Sequence, residues 1–286
     1  MKITEPQNTP ISPSWTLQPV ALATLPAPGW ECLMGLNDIT MRPLTFWIWI
    51  LRCGNQVGLI DSGLPAGPDL DALNRANQAL APECLFTPIT SLPETLKAEG
   101  IDPSEIQFLL LSQFITYATG GLCRQHFPNA HVYVAYEGMR ELLTATPGHP
   151  PREFYLTSNS WNYVRELLVE QRISFVSEPV EVAPGLIYEP TGGHHPGSAG
   201  IKIRTAHGVV GLLETAFVQE NIEKEIPIGI AENAAECRTV IRRYKRECDL
   251  VLAGHEPKIP SLLATFHGFG NSPPLPNHPP QSPRTL

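Results

Sequence analysis

The apolar residues of this chain come in runs of strand length, and each run stops at a turn residue or a polar side chain. Leu44 to Leu51 (LTFWIWIL) is the greasiest, and Ile106 to Leu111, Val209 to Leu213 and Leu250 to Leu252 repeat the pattern. A bilayer span needs about 20 consecutive apolar residues, so none of these runs crosses a membrane. Short apolar runs bounded by turns read instead as buried strands. Phe46 to Arg52 and Gln56 to Asp61 are joined by Cys53-Gly54-Asn55, whose Gly-Asn suits a hairpin. Asp102-Pro103-Ser104-Glu105 leads into the strand Ile106 to Leu111, and further strands are expected at His131 to Val134, Ile187 to Pro190 and Ile201 to Thr205. Helices are expected from about Asp69, with Asp69 as N-cap, at Glu137 to Leu143, at Trp161 to Glu170 and at Ala234 to Arg246. Strands in both halves with helices between them predict sheets covered by helices, a layered α/β or α+β domain.

A length of 286 residues allows one large domain or two small ones, and 42% hydrophobic with 17% charged residues describes a globular chain. The 30 prolines are unevenly placed, six of them in the last seventeen residues. We expect a flexible segment over residues 1–20, a folded domain over 21–268 and a disordered, polyproline-like tail over 269–286. The charge of 20 − 28 = −8 excludes a nucleic-acid binder, which needs a surplus of Lys and Arg on one surface. The densest basic stretch, Arg242 to Arg246, is bracketed by Glu236, Glu247 and Asp249 and reads as the solvated face of a helix. No apolar core with a small-residue cleavage site follows the N-terminus. The six cysteines are scattered without a C-x-x-C pair, as in a reduced, cytoplasmic protein without a cysteine-based zinc site. Neither a nucleic-acid nor a membrane partner is expected.

Four strand ends could carry chemistry. Leu59-Ile60-Asp61-Ser62-Gly63 ends a strand in a carboxylate, which either serves a site or caps its own turn. Gly192-Gly193-His194-His195-Pro196-Gly197 places two histidines in a loop where backbone can approach a ligand closely. Glu214 closes the run VVGLL, and a carboxylate after a buried run needs a partner or a metal. Leu252-Ala253-Gly254-His255 ends another strand in Gly-His. Two histidines and a carboxylate at strand ends suit a mononuclear metal, although a strand-end histidine more often just satisfies local hydrogen bonds.

The ordered series LIDSG, GIDPSEIQFLLL, GGL, FPNAHVYV, TGGHHPGS, LLETAF and DLVLAGHEP resembles the metallo-β-lactamase superfamily over about residues 45 to 260. The stretch ETAFVQENIEKEIPIGI is similar to its acyl-homoserine lactonase-like branch. The resemblance implies an α+β fold, a four-layer αββα sandwich with the site at the common edge of two sheets. The family supplies four metal ligands from T-H-x-H-x-D-H-x-G-G after the third strand. Aligned on Gly120-Gly121, this chain has Gln113, Ile115, Tyr117 and Ala118 at those positions. Ile and Ala donate no lone pair, Tyr ligates well only as phenolate, and glutamine is a poor, neutral zinc ligand. His194 and His255 match later histidines, Glu214 stands where the bridging Asp is usual, and Phe217 replaces a tyrosine that assists the leaving group.

These matches and departures argue against a two-metal centre and leave at most one divalent cation, zinc or iron, on His194, Glu214 and His255. Tyr117, Glu214 and His194 are the candidate catalytic groups. Asp61, Gln113, Ile115, Ala118, His195 and Phe217 are the expected pocket for a small-molecule substrate or ligand. Asp61, Gln113, His194, Glu214 and His255 should converge on one cleft. Three functions compete: a mononuclear-metal enzyme of hydrolase-like or non-hydrolytic chemistry; a metal-free acid–base enzyme (isomerase, dehydratase or cyclase) using Tyr117, His194, Glu214 and His255; and a non-catalytic binding pseudoenzyme. Ordinary lactonase or β-lactamase activity is expected to be absent. A homodimer is one oligomeric state the sequence leaves open.

Overall fold

Among the described residues, twelve strands form in chain order: β1 (Thr16–Pro28), β2 (Met41–Cys53), β3 (Gln56–Ile60), β4 (Thr87–Pro88), β5 (Ile106–Leu110), β6 (His131–Ala135), β7 (Ile173–Val176), β8 (Val180–Ala183), β9 (Leu186–Pro190), β10 (Ala199–Thr205), β11 (Gly208–Leu213) and β12 (Leu250–Ala253). The computed structural model describes residues 14–37, 39–79, 81–144 and 152–266. The expected proline-rich tail over 269–286 lies outside the described residues. Among them, no helix is long and apolar enough to cross a membrane.

The strands build a seven-stranded sheet, β4-β1-β2-β3-β5-β6-β7, and a five-stranded one, β12-β11-β10-β9-β8. β2 explains its own sequence: it is buried on both faces, so its apolar residues run without interruption. Trp47, Trp49 and Leu51 point toward the second sheet, where they meet Tyr188, Ile201, Ile203 and Leu212. Ile48 and Ile50 point the other way, into a layer formed with Leu92 and Leu96, Met139 and Leu142, and Tyr163, Val164 and Leu167. Those residues belong to the helices Leu92–Ala98, Tyr136–Thr144 and Ser158–Val169. On the opposite side, Val240, Ile241 and Tyr244 of the helix Ala234–Glu247 cover Leu213, Val251 and Ala253. The order of layers is therefore helix, sheet, sheet, helix.

Several expectations need correction. β1 begins at Thr16, inside the segment expected to be flexible. Its prolines hid it, because proline removes a ladder donor. Over most of its length β1 has β2 as its one neighbour, and it meets β4 only at Ala23 and Thr24. Such edge positions tolerate proline. The first long helix starts at Pro68 after Gly67, so Asp69 lies in its first turn and is not the cap. The basic stretch is not wholly solvated. Arg242, Lys245 and Arg246 are exposed, but Arg243 pairs with the buried Glu189, and Tyr244 Oη donates to it at 3.1 Å. Lys202 Nζ, 2.9 Å from the same carboxylate, completes that buried ion cluster.

The two sheets are stitched at one edge. Tyr188 Oη donates to the Leu111 carbonyl at 2.8 Å, and the Ala199 amide donates to the Ser112 carbonyl at 2.7 Å. The Thr45 amide donates to the His255 carbonyl at 3.0 Å. Gly120 and Gly121 let the loop after β5 lie directly on the loop after β3. A Cβ on Gly121 would stand 2.1 Å from the Ser62 carbonyl oxygen, and one on Gly120 would stand 2.1 Å from Pro65 N. Gly121→Ala is therefore expected to cost about 1–3 kcal/mol, the usual penalty for overpacking a rigid contact. Urea denaturation measures it; a variant as stable as the parent would show that the two loops separate freely.

Candidate functional site

Four strand ends and one loop deliver the polar residues to the stitched edge. β3 ends in Asp61, held at φ +63°, an uncommon conformation for a non-glycine residue. Its carboxylate accepts two hydrogen bonds from Ser112 just beyond β5, from the amide at 2.8 Å and from Oγ at 2.6 Å. The loop after β9 carries His194 and His195 past Gly192 and Gly193, both at positive φ. A Cβ on Gly193 would lie 2.8 Å from Cys237 Sγ, so glycine is what lets this loop sit on the helix Ala234–Glu247. Glu214 follows β11, and Gly254-His255 follows β12. A Cβ on Gly254 would stand 2.7 Å from Glu214 Oε2; the missing side chain makes room for the carboxylate.

The centre is Glu214 Oε1. Tyr117 Oη donates to it at 2.8 Å and His255 Nε2 lies at 3.2 Å, while His194 Nδ1 is 3.7 Å away. A second chain of bonds sets the tautomer of His194. The His195 amide donates to Ser198 Oγ at 3.2 Å, so the Ser198 proton goes to Gln113 Oε1, 2.6 Å away. The Gln113 amide nitrogen then faces His194 Nδ1 at 3.2 Å and donates to it. Nδ1 is thus the unprotonated ring atom, and Nε2 carries the proton. His194, Glu214 and His255 are each more than nine-tenths buried.

Burial dominates the titration of this cluster. It lowers the His194 pKa to about 4 against the attraction of Glu214, so the ring is neutral at ordinary pH. Burial also opposes ionisation of Glu214, but His255, then His194 and Tyr117, outweigh it and hold the carboxyl below its usual range. Tyr117 is pushed up by burial and by the Glu214 charge, so its proton stays on the phenol. Burial likewise raises Asp61, to about 7, with the two Ser112 hydrogen bonds pulling the other way.

The remaining expected residues take different places. Phe217 wedges between the two histidine rings, 4.9 Å from His194 and 5.1 Å from His255. Ile115 and Ala118 are buried around the helical turn Thr116–Thr119. His195 turns away from the cluster: its Nε2 is 2.9 Å from Glu141 Oε2, and its Nδ1 accepts from the Gly197 amide at 2.9 Å. Glu141, His195 and Glu232 are, among the described residues, a trio whose donor atoms lie within 4.8 Å of one another. The Gly197 amide decides against a metal there, because a ring that accepts at Nδ1 carries its proton at Nε2 and has no lone pair to give. Sequence reasoning missed Ser198, which orients Gln113, and Phe46, whose ring lies 4.3 Å from His255 and 5.1 Å from Tyr117. Ser198 ends the TGGHHPGS stretch and Phe46 lies in the apolar run LTFWIWIL, but neither pattern marks a role at the site. The cavity at the cluster, lined by Asp61, Ser112, Tyr117, Glu214 and His255 among apolar side chains, measures about 20 Å³. That is room for about one water.

Similar solved structures share this architecture. An N-acyl homoserine lactone hydrolase, with the product N-hexanoyl-L-homoserine bound at its catalytic metal center, superposes with a TM-score of 0.68 at 18% identity, covering 88% of this chain and 96% of that one. A probable metal-dependent hydrolase from Staphylococcus aureus gives 0.69 at 14% identity over 86% and 90% of the two chains. A dizinc quorum-quenching lactonase in complex with its product gives 0.61 at 12% identity over 86% and 89%. The chain has the metallo-β-lactamase fold. No protein-family model matches the sequence, and no curated protein matches it. Within the metallo-β-lactamase fold, the cluster around Glu214 occupies the edge where the two sheets meet.

Asp61 gives a pH signature. In the unfolded chain it ionises near its ordinary value, about 3.9, and in the fold near about 7. Between those values the folded protein holds a proton that the unfolded chain has lost, so Asp61 makes stability fall as pH rises through the window and has no further effect above it. Asp61→Asn should gain on the parent across that same window. Urea denaturation at a series of pH values reads the difference; a gain appearing as pH falls would reverse the assignment. Tyr117→Phe should cost about 1.5–3 kcal/mol in the same assay, the range for a hydrogen bond to a charged group.

Proposed function

We propose that this protein uses the metallo-β-lactamase fold without its metal chemistry: a non-catalytic, metal-free binding protein whose former reaction site has become a closed hydrogen-bonded cluster. The observation that carries this reading is that the retained ligand atoms are already receiving protons. His194 Nδ1 accepts from Gln113, and Glu214 Oε1 accepts from Tyr117 and His255. A cation needs those lone pairs.

The donor set does not fit a dinuclear centre. Gln113, Ile115, Tyr117 and Ala118 stand at four ligand positions, and with Asp61 raised to about 7, Glu214 is the one carboxylate there held below its usual range. Two divalent cations would repel each other with little to offset them. A single zinc or iron on His194, Glu214 and His255 fits poorly too. A ligating histidine nearly always donates its other ring N–H to an acceptor, whereas His255 Nδ1 is buried with no hydrogen-bond partner. The chemistry a metal supplies in this fold, an activated water, is therefore not assigned to this chain. A cavity of about 20 Å³ also leaves no space for a lactone beside Tyr117.

A second reading, metal-free acid–base catalysis on a small molecule, has one observation in its favour. Asp61, with a pKa of about 7, lines the cavity with Tyr117 and Glu214, and a group poised near neutral pH suits proton transfer. It requires the cavity to open for a substrate.

Elemental analysis and lactone hydrolysis test the main reading together. The purified protein should hold less than one zinc per chain, hydrolyse acyl-homoserine lactones and β-lactams at background rate, and keep its melting temperature in chelator. Two tightly held zinc ions, or a chelator-induced drop in melting temperature, would overturn it. The variant Gln113→His, Ile115→His, Tyr117→Asp, Ala118→His replaces the protons facing Glu214 and His194 with ligands. It should take up metal where the parent does not.

A further inference from the structure

Leu22 and Leu64 line both the cavity at the cluster and an open groove of about 550 Å³, a volume typical of small-molecule sites. The groove is walled largely by apolar side chains, with Pro65, Leu70, Pro88 and Leu92 among them. The cavity, at about 20 Å³, has room for one group the size of a water. Its hydroxyls have already given their protons away. Ser112 Oγ donates to Asp61 Oδ2 at 2.6 Å, and Tyr117 Oη donates to Glu214 Oε1 at 2.8 Å. Each Asp61 oxygen accepts one bond from Ser112 and keeps a second acceptor position. His255 also bonds Glu214 Oε1, so Oε2 is the oxygen left to accept. It stands 2.7 Å from the point a Gly254 Cβ would occupy, and Gly254 is another wall of the cavity. Glu214 is buried, so bulk water does not serve that oxygen.

Among the described residues, no Lys or Arg lines either space, whereas Asp61 and Glu214 line the cavity and Asp69 the groove. The imidazoles there are His255, held by Glu214, and His126, held by the Gly121 carbonyl. A cleft of carboxylates without Lys or Arg concentrates cations. We propose that the site binds a primary alkylamine, its ammonium in the cavity between Asp61 and Glu214 and its chain in the groove past Leu22 and Leu64. An ammonium is about the size of a water, carries three donors and accepts nothing, which is what a wall of acceptors requires. Asp61, Glu214 Oε2 and Ser112 Oγ are the three that it would meet. A carboxylate in the same place would face two others, and an alcohol would bring one donor where three are wanted. The inference rests on the metal-free binding reading and names its ligand: the cation beside Glu214 is carried in by the bound molecule.

The test titrates the full chain, its metal content measured first, with octylamine, 1-octanol and octanoate in a calorimeter at neutral pH, where an alkylamine is protonated. One octylamine should bind per chain, at least about tenfold more tightly than 1-octanol, the low side for a hydrogen bond to a charged group. Octanoate should not displace it. Affinity should rise about fourfold with each CH₂ from butylamine to octylamine, the worth of a buried methylene. In amide NMR, octylamine should move the resonances of Ser112, which donates to Asp61, and of Gly254. Glu214→Gln should bring octylamine down to the affinity of 1-octanol. Leu64→Trp, which fills the passage and leaves every carboxylate in place, should lose octylamine binding. Octanol matching octylamine, displacement by octanoate, unchanged binding by Leu64→Trp, or no binding to the folded, zinc-free parent overturns the inference and leaves the metal-free reading standing. Tightly held zinc in the purified protein overturns both.

Discussion

A carboxylate that is 4% exposed must be given partners, because an unpaired buried charge costs several kcal/mol or more. Glu214 receives two, the Tyr117 hydroxyl and the His255 ring, on one oxygen. The surrounding structure serves that arrangement. Gly254 makes room for the carboxylate, Phe46 packs on both Tyr117 and His255, and Phe217 separates His255 from His194. His194 meets the carboxylate with its lone-pair nitrogen at 3.7 Å, a poor contact that Gln113 relieves by donating to the same nitrogen. Removing any one of these donors leaves the carboxylate or the imidazole short of a proton in a site with room for about one water.

The replacements after β5 are intelligible on the same terms. Gln113 and Tyr117 both bring a proton toward the atoms that would otherwise hold a cation. Ile115 and Ala118 fill space with apolar atoms and ask for no partner. The fold keeps its loops, and the sheets keep their stitched edge. In the proposed reading, the Tyr117 hydroxyl and the His255 ring take the place of a metal in compensating Glu214.

How much of this is legible in the sequence depends on the range of the interaction. The apolar runs of β2, β3, β5, β11 and β12 announce themselves, as do the polar residues at their ends, because burial on both faces writes a continuous pattern. β1 does not, since Pro19, Pro26 and Pro28 look like loop residues until its place at the side of β2 is known. The convergence of Asp61, Gln113, His194, Glu214 and His255 follows from strand ends meeting at one edge. The direction each ring faces does not follow. His194 and His195 are adjacent, yet one turns to Gln113 and the other to Glu141, a choice made by Ser198 and the Gly197 amide.

Long-range proton–nitrogen NMR of the histidine rings tests the central claim directly, that protons and not a metal satisfy this cluster. His194 should remain neutral with its proton on Nε2 at every pH above about 5, since burial holds its pKa to about 4, and an equivalent of zinc should leave its Nδ1 resonance unmoved. A His194 ring that titrates near its ordinary 6.5, or an Nδ1 resonance that shifts on adding zinc, would contradict the account.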